Sequence, residues 1–175
     1  YQPQSPHTET ALAAITEYLK ESSVERVRKQ AIEPRLRGPR GCFVSVHKRD
    51  GDLRGCIGTI EPQHAHLQQE IIANATAAIS RDTRFPPVQL DELPELVLSV
   101  DVLAPPEEVR SSSELDPGHY GVIVSDGIRR GLLLPDLPQV TSIDKQLHIA
   151  KKKAGLANVP IEKLQISRFA VERFH

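Results

Sequence analysis

The spacing of apolar residues along the chain predicts helices and strands in alternation. Apolar side chains recur every three or four residues at 8–20, 67–80 and 143–154, which is the period of a helix with one buried face. They alternate with other residues at 42–46 and 96–103, and a further strand is predicted at 164–174. We therefore expect three helices, the second and third of which are flanked by strands.

Two Asp-Gly pairs, Asp50-Gly51 and Asp126-Gly127, each follow an alternating run and precede another apolar segment. Such a pair between two apolar runs is the strongest short-range signal of a β-hairpin. Both pairs belong to the same frame, D-G-x-x-R-G, so the order hairpin, helix, strand occurs twice.

The repeated order predicts a duplicated architecture. Hairpins imply mainly antiparallel sheets, with the helices flanking them. The fold class is therefore α+β rather than a doubly wound parallel fold, and we expect a cleft between the two copies. We expect a single domain over 1–175 that contains the helix at 8–20 and two repeats, 41–104 and 119–174.

The register of the first hairpin predicts which side chains surround Cys56. If the Asp-Gly pair forms a two-residue turn, Ser45 lies opposite Cys56 and His47 lies opposite Arg54. Cys56 then shares the polar face with Arg54 and a histidine, an electropositive setting that lowers the pKa of a thiol. Cys42 points to the core face, so the two cysteines do not form a disulfide. His47 is only diagonal to Cys56, too far for a catalytic dyad. The competing interpretation is a small, inert, buried cysteine.

Composition and charge narrow the function classes. The chain has 175 residues, 39% of them apolar, enough for a core in one compact domain. Its 22 basic residues are balanced by 23 acidic ones, which argues against the positive field that drives nucleic-acid binding. Two cysteines do not make a disulfide framework, and no apolar stretch approaches the roughly 20 residues of a membrane helix. We therefore predict a cytoplasmic protein that binds neither membrane nor nucleic acid.

A charged cluster before a rigid turn is a second candidate site. Asp82 and Arg84 precede the turn at 85–87, Phe-Pro-Pro, which can hold an anion-binding guanidinium in place. An internal ion pair explains the cluster equally well.

The histidines at 64 and 66 have no neighbouring ligands at metal-site spacing, so no metal is predicted. The lysine run at 151–153 ends a helix, where cations complement the dipole. No phosphate loop, nucleophile elbow or dinucleotide fingerprint occurs, and no cofactor is predicted.

Four stretches carry a resemblance to a known family. They are L-R-G-C-I-G at 53–58, R-D-T-R-F-P-P at 81–87, L-L-L-P at 132–135 and K-A-G-L at 153–156. In this order they resemble the AMMECR domain family, and the resemblance runs from the first helix to Phe174. It implies an α+β fold of two β-rich units with a cleft lined by L-R-G-C-I-G. The microbial members closest in appearance are called AmmeMemoRadiSam system protein A, a name that pairs them with a Memo-like protein and a radical S-adenosylmethionine protein.

The resemblance points to residues but to no reaction. The positions that it carries over are Arg54, Gly55, Cys56, Asp82, Arg84, Phe85 and Pro86. One hypothesis is a binding or accessory protein that presents the L-R-G-C-I-G cleft to a small anionic ligand or to a partner, such as the Memo-like or radical S-adenosylmethionine protein. The other is an enzyme in which Cys56 is the nucleophile or thiol carrier and two arginines, Arg54 and Arg84, bind an anionic substrate, with Asp82 orienting Arg84. No general base is evident next to the cysteine, so the sequence favours the first.

Overall fold

The computed structural model describes residues 1–175, which form two compact units. The first comprises residues 1–103 and 172–175, and the second comprises residues 104–171. Helices occur together with antiparallel strands, which confirms the predicted α+β class. None of the helices has the length and apolar character needed to cross a membrane. The two repeats, 41–104 and 119–174, and their origin by duplication stay predictions.

The helices and strands are named here in chain order. The first unit contains α1 (Pro6–Glu21), α2 (Glu25–Arg28), β1 (Cys42–Lys48), β2 (Leu53–Thr59), α3 (Leu67–Ser80) and β3 (Leu96–Leu103). The second contains β4 (Glu107–Glu108), β5 (Tyr120–Ser125), β6 (Arg130–Leu133), α4 (Ile143–Lys153) and most of β7 (Gln165–Phe174). The three predicted helices correspond to α1, α3 and α4, whereas the one-turn α2 and the two-residue β4 were not predicted.

Two serine caps determine where the helices begin. The Ser5 side chain accepts the Thr8 N–H at 3.3 Å, and Pro6 occupies the first helical position, so α1 begins two residues earlier than predicted. In the same way, the Ser142 side chain accepts the Lys145 N–H at 3.2 Å at the start of α4.

The first unit is a three-stranded antiparallel sheet with helices on one face. β1 lies in the middle and pairs with β2 on one side and with β3 on the other. α3 packs against β1 and β2, and α1 packs against α3. Cys42, Val44 and Val46 of β1 are completely buried in the core that these helices cover. The residues between them point to the opposite face of the sheet.

The second unit places one helix against a hairpin. β5 pairs with β6 and β7, β4 pairs with β7, and α4 packs against β5 and β6. The side chain of Gln146 is buried and donates to the Tyr120 carbonyl at 2.8 Å. Gly131 lies so close to α4 that a Cβ there would be 2.3 Å from the Ala150 carbonyl oxygen. The hairpin and the last turn of α4 are therefore in direct contact.

The first hairpin differs from the predicted two-residue turn. Lys48 donates its N–H to the Asp52 carbonyl at 2.8 Å, and Gly51, at φ +94°, donates to the Lys48 carbonyl at 3.0 Å. Three residues therefore form the loop, which shifts the register by one. A bulge then shifts it back, because Arg54 has no partner between the pairs Val46–Gly55 and His47–Leu53. The prediction that His47 lies opposite Arg54 is wrong.

Candidate functional site

The two most specific sequence motifs meet at the outer edge of β2. Cys56 lies opposite Ser45 of β1, as predicted, and β2 ends the order of strands in its sheet. On the outer side, the Cys56 N–H donates to Asp82 Oδ2 at 2.9 Å, and Arg84 Nη2 donates to the Cys56 carbonyl at 3.4 Å. A carboxylate and a guanidinium thus satisfy the backbone groups that a neighbouring strand would otherwise pair with.

Asp82 and Arg84 form a tight ion pair. Arg84 Nε donates to Oδ1 at 2.9 Å and Nη2 donates to Oδ2 at 2.7 Å, while the Arg84 backbone N–H also reaches Oδ1. The Asp82 carboxylate is buried, and these hydrogen bonds, together with the one from Cys56, hold its pKa well below the usual range. The Arg84 side chain is 56% exposed and its guanidinium lies 5.4 Å from the centre of the Phe85 ring. The structure therefore contains the internal Asp82–Arg84 ion pair, and ligand binding by Arg84 stays a prediction.

Arg54 is not exposed to solvent. Its Nε and Nη2 donate to the two carboxylate oxygens of Glu92 at 2.7 and 2.9 Å, and its Nη1 donates to the Pro86 carbonyl at 2.9 Å. The side chain is buried, and this bidentate pair lowers the pKa of Glu92. Arg54 was predicted to bind an anion, but the structure gives its charge a partner within the protein. Its observed role is to fasten the loop after Phe85 to β2.

Gly55 brings β2 against α3. A Cβ at this position would lie 2.2 Å from the Ala78 carbonyl oxygen, far closer than any side chain permits. Gly55 therefore faces the helix, away from the polar side of the sheet that carries Cys56. Its place in the motif is explained by the close approach of two backbones, and ligand contact by Gly55 stays a prediction.

The Cys56 thiol is half-buried and accepts a hydrogen bond from the Ser45 hydroxyl at 3.2 Å. Burial raises its pKa, and this outweighs the lowering effects of Ser45 and of the nearby Arg84 charge. The predicted lowering of the Cys56 pKa is therefore wrong, because the sequence cannot show how far the thiol is removed from water. Cys42 is completely buried with its pKa raised to about 12, and both cysteines are free thiols.

The face of the sheet that carries Cys56 is polar across its three strands. Ser45 lies opposite Cys56 on one side and opposite Ser99 of β3 on the other, and directly opposed residues share a face. At the next pair along this face, Asp101 is buried and its carboxylate accepts two hydrogen bonds from Arg173, at 2.7 and 3.0 Å. This face therefore combines a thiol, two hydroxyls and an ion pair.

Sequence reasoning missed Glu92, Ser99, Asp101 and Arg173. The pairs Arg54–Glu92 and Asp101–Arg173 span 38 and 72 residues, so no local spacing indicates them. One usable signal was present, since Ser99 and Asp101 interrupt an otherwise apolar strand, L-V-L-S-V-D-V-L. Polar residues at alternate positions of such a strand indicate a polar face.

An open pocket lies beside the fastened loop, within the first unit. It has a volume of about 790 Å³. Leu53 and the segment 85–87 supply its apolar lining, and Lys48 and Asp52 also line it. The ion pair of Arg54 with Glu92 forms another part of the wall. The pocket thus combines an apolar wall with charged groups of both signs, a composition that suits ligand or partner binding.

His66, one of the two histidines considered as metal ligands, has a structural contact. His66 Nδ1 accepts the Gly38 N–H at 3.1 Å, which ties the loop before β1 to the start of α3. No three side chains of His, Cys, Asp or Glu are grouped closely enough to hold a metal ion.

The chain is an α+β domain in which Asp82 and Arg84 bind the outer edge of β2, so that the motifs at 53–58 and 81–87 form one surface. The AMMECR1 family profile matches residues 8–174, and the chain belongs to this family. A protein of Thermotoga maritima is 47% identical over 171 residues, covering 98% of both chains. A protein of Clostridium acetobutylicum is 42% identical over 171 residues, which are 95% of this chain but only 36% of that one. The crystal structure of uncharacterised protein PH0010 from Pyrococcus horikoshii matches with a TM-score of 0.81 at 32% identity, covering 95% of this chain and 88% of that one.

Proposed function

We propose that this domain is a binding component that presents the surface around Arg84, Phe85 and the adjoining pocket to a protein partner or a small anionic ligand. One observation carries the proposal. The buried charges of the two motifs, Arg54 and Asp82, are used to hold the loop 82–92 against β2, whereas Arg84 and the pocket beside the loop remain open to solvent. The motif residues thus build and fix a surface, as a binding site requires.

The fixed guanidinium of Arg84 suits an anionic group. Asp82 and the Cys56 carbonyl use donors on Nε and Nη2, which leaves the Nη1 donors for a carboxylate or phosphate of the ligand. Because Asp82 already balances the charge of Arg84, the attraction to a lone anion is weak. Lys48 of the pocket lining and the Phe85 ring supply further contacts, so a ligand with both an anionic and an apolar part fits best.

The alternative is an enzyme in which Cys56 is the nucleophile or thiol carrier. A nucleophilic cysteine needs a thiolate at working pH and a base within hydrogen-bond reach. Burial raises the pKa of Cys56, and its partner Ser45 is a donor to the sulfur and not a base. These two observations weigh against the alternative.

A protein partner is supported by the length of the relatives. The chain covers 98% of the Thermotoga protein but 36% of the Clostridium protein, where the same domain is therefore joined to much additional sequence. We propose that the partners are a Memo-like protein and a radical S-adenosylmethionine protein, the two to which the family resemblance points.

The test is direct binding with purified proteins. The chain is titrated by calorimetry against the Memo-like protein, against the radical S-adenosylmethionine protein, and against phosphate and short fatty-acid carboxylates as small anionic probes. Phe85→Ala and Arg84→Gln should weaken the observed binding about tenfold or more, whereas Cys56→Ser should leave it unchanged. The matched control is Arg35→Gln, because Arg35 is similarly exposed and pairs with Glu33, two residues before it, at 2.9 Å.

Two results would contradict the proposal. The first is the absence of binding to all of these probes. The second is binding that survives Arg84→Gln and Phe85→Ala but is lost in Cys56→Ser, because the thiol and not the surface would then be the functional group.

A further inference from the structure

A single apolar residue projects from the tip of the second hairpin. Ile128 is 94% exposed, and Leu90, the other exposed large apolar residue, is only 47% exposed. An isolated exposed apolar residue is ordinary on a protein surface. Ile128 differs because the loop that carries it is rigidly held.

Asp126 holds this loop in place. Its Oδ1 accepts the N–H groups of Ile128 and Arg129 at 3.0 and 2.6 Å, and its Oδ2 accepts Arg129 Nε at 3.0 Å. Arg129 Nη1 in turn donates to the Gly155 carbonyl at 2.9 Å, just after the end of α4. The fold therefore fixes Ile128 in solvent, so the side chain cannot turn back to bury itself.

Basic residues lie next to Ile128 in the chain and at the neighbouring end of α4. Arg129 and Arg130 follow Ile128 in the chain, and the lysine run at 151–153 lies in the last turn of α4. The two segments are neighbours, because Gly131 contacts Ala150 and Ala154 through close backbone approach. We define the basic tip as residues 126–131 together with residues 151–155. It contains five basic residues and one acidic residue in a chain whose net charge is −1, so positive charge is concentrated there.

We propose that the basic tip docks an acidic protein partner, with Ile128 inserted into an apolar pocket of that partner. An apolar side chain on a held loop loses little conformational freedom on binding, and its burial removes apolar surface from water. The neighbouring lysines and arginines complement an acidic rim and speed the encounter. This surface is distinct from the one around Arg84 and Phe85.

Other polyanions fit the basic tip less well. Single-stranded nucleic acids need aromatic platforms for their bases, and no aromatic residue occurs in the two segments. A membrane surface needs a larger apolar face than one isoleucine. Phosphates also favour the N-terminus of a helix, whereas the tip lies at the C-terminal end of α4.

The experiment begins with site-specific crosslinking in cells. The photoreactive residue p-benzoylphenylalanine replaces Ile128 or, as a control, Ser113, an exposed residue of the same unit outside the basic tip. We expect an adduct with a discrete acidic protein at position 128 and not at position 113. That protein is then purified and its binding to the wild-type chain is measured.

Direct binding then decides the proposal. Ile128→Ser should weaken binding to the purified partner about tenfold, and the double variant Lys152→Glu with Lys153→Glu should weaken it most at low salt. Lys163→Glu, an exposed lysine elsewhere in the second unit, should have little effect. The proposal is overturned if no adduct is specific to position 128, or if Ile128→Ser binds the partner as tightly as the wild type. It is also overturned if the tip binds duplex DNA or phosphatidylserine vesicles and the Lys152, Lys153 variant abolishes that binding.

Discussion

Replacing Asp82 by alanine should release the clamp on the edge of β2. The Asp82 carboxylate accepts hydrogen bonds from the Cys56 backbone N–H and from both the backbone and the side chain of Arg84. Asp82→Ala removes all of these acceptors at once. The Cys56 N–H then faces the outer edge of the sheet without a partner, and Arg84 loses the group that orients it.

The size of the effect follows from burial. A buried donor left without an acceptor costs about 1–3 kcal/mol. The ion pair with Arg84 adds roughly 1 kcal/mol or less, because the guanidinium is more than half exposed and solvent screens its charge. We therefore expect Asp82→Ala to lower the free energy of unfolding by about 1–4 kcal/mol. Asp82→Asn keeps one acceptor oxygen and should cost less.

The assay is urea unfolding followed by circular dichroism, with amide hydrogen exchange of Cys56 as a local readout. The matched control is Asp50→Ala, because Asp50 is exposed and accepts only the Asp52 N–H, at 3.0 Å. The control should cost about 0.5 kcal/mol or less. If Asp82→Ala costs no more than Asp50→Ala and leaves exchange at Cys56 unchanged, the clamp contributes nothing and the reasoning is refuted.

The pH dependence offers an independent check. The folded-state pKa of Asp82 lies below its unfolded value of about 3.9, so its stabilising effect is complete above that value. The effect is lost as the pH falls from there through the folded pKa. The stability difference between wild type and Asp82→Ala should therefore shrink below about pH 4. A difference that stays constant down to acid would contradict the assignment.

Three further predictions rest on single residues. Gly55→Ala should destabilise the protein by about 1–3 kcal/mol in urea unfolding, because the new Cβ meets an α3 carbonyl at 2.2 Å. The control Gly118→Ala, where the atom nearest to the new Cβ is at 3.4 Å, should be nearly neutral in the same assay. The pKa of His7 is lowered to about 4, chiefly by burial, so stability should fall by up to about 3 kcal/mol between pH 6.5 and 4, and His7→Phe should remove this dependence. In alkylation followed by mass spectrometry against pH, Cys56 should react before Cys42, with a half-point above that of a free thiol.

Each of these predictions has a clear contrary result. Equal stabilities of Gly55→Ala and Gly118→Ala would mean that β2 can move away from α3 freely. Acid sensitivity that persists in His7→Phe would assign it to other groups. A half-point for Cys56 below pH 8 would mean that the nearby charges outweigh burial, and would revive the enzyme alternative.

The local pattern of apolar residues was sufficient to predict the main helices and hairpins but not the residues at which they begin and end. Three helices and both hairpins follow from apolar spacing and Asp-Gly pairs, since these features depend on neighbours in sequence. α1 begins two residues before the predicted start because the Ser5 side chain caps the helix. Segments with little apolar pattern, such as α2, form through contacts with the rest of the unit.

The candidate site was predictable only where its residues belong to a motif. Asp82, Arg84 and Cys56, which belong to the two motifs, lie together in the structure. Glu92 and Arg173 come from distant segments, and only folding brings them to Arg54 and Asp101. The pKa of Cys56 also depends on how deeply the thiol is buried, and the charges of its neighbours along a strand do not reveal that.

The two hairpins show why a shared frame does not fix a shared site. Both contain D-G-x-x-R-G and both place the glycine at φ +94°, yet Arg130 of the second pairs normally with Ser125 while Arg54 of the first forms a bulge. A bulge re-aims a side chain, and here it accompanies the buried ion pair of Arg54 with Glu92. Ser45 nevertheless faces Cys56 as predicted, because the bulge cancels the shift introduced by the three-residue loop. The bulged Arg54 thus pairs with Glu92, a partner outside the frame, and a pattern common to both hairpins cannot report a contact that only one of them makes.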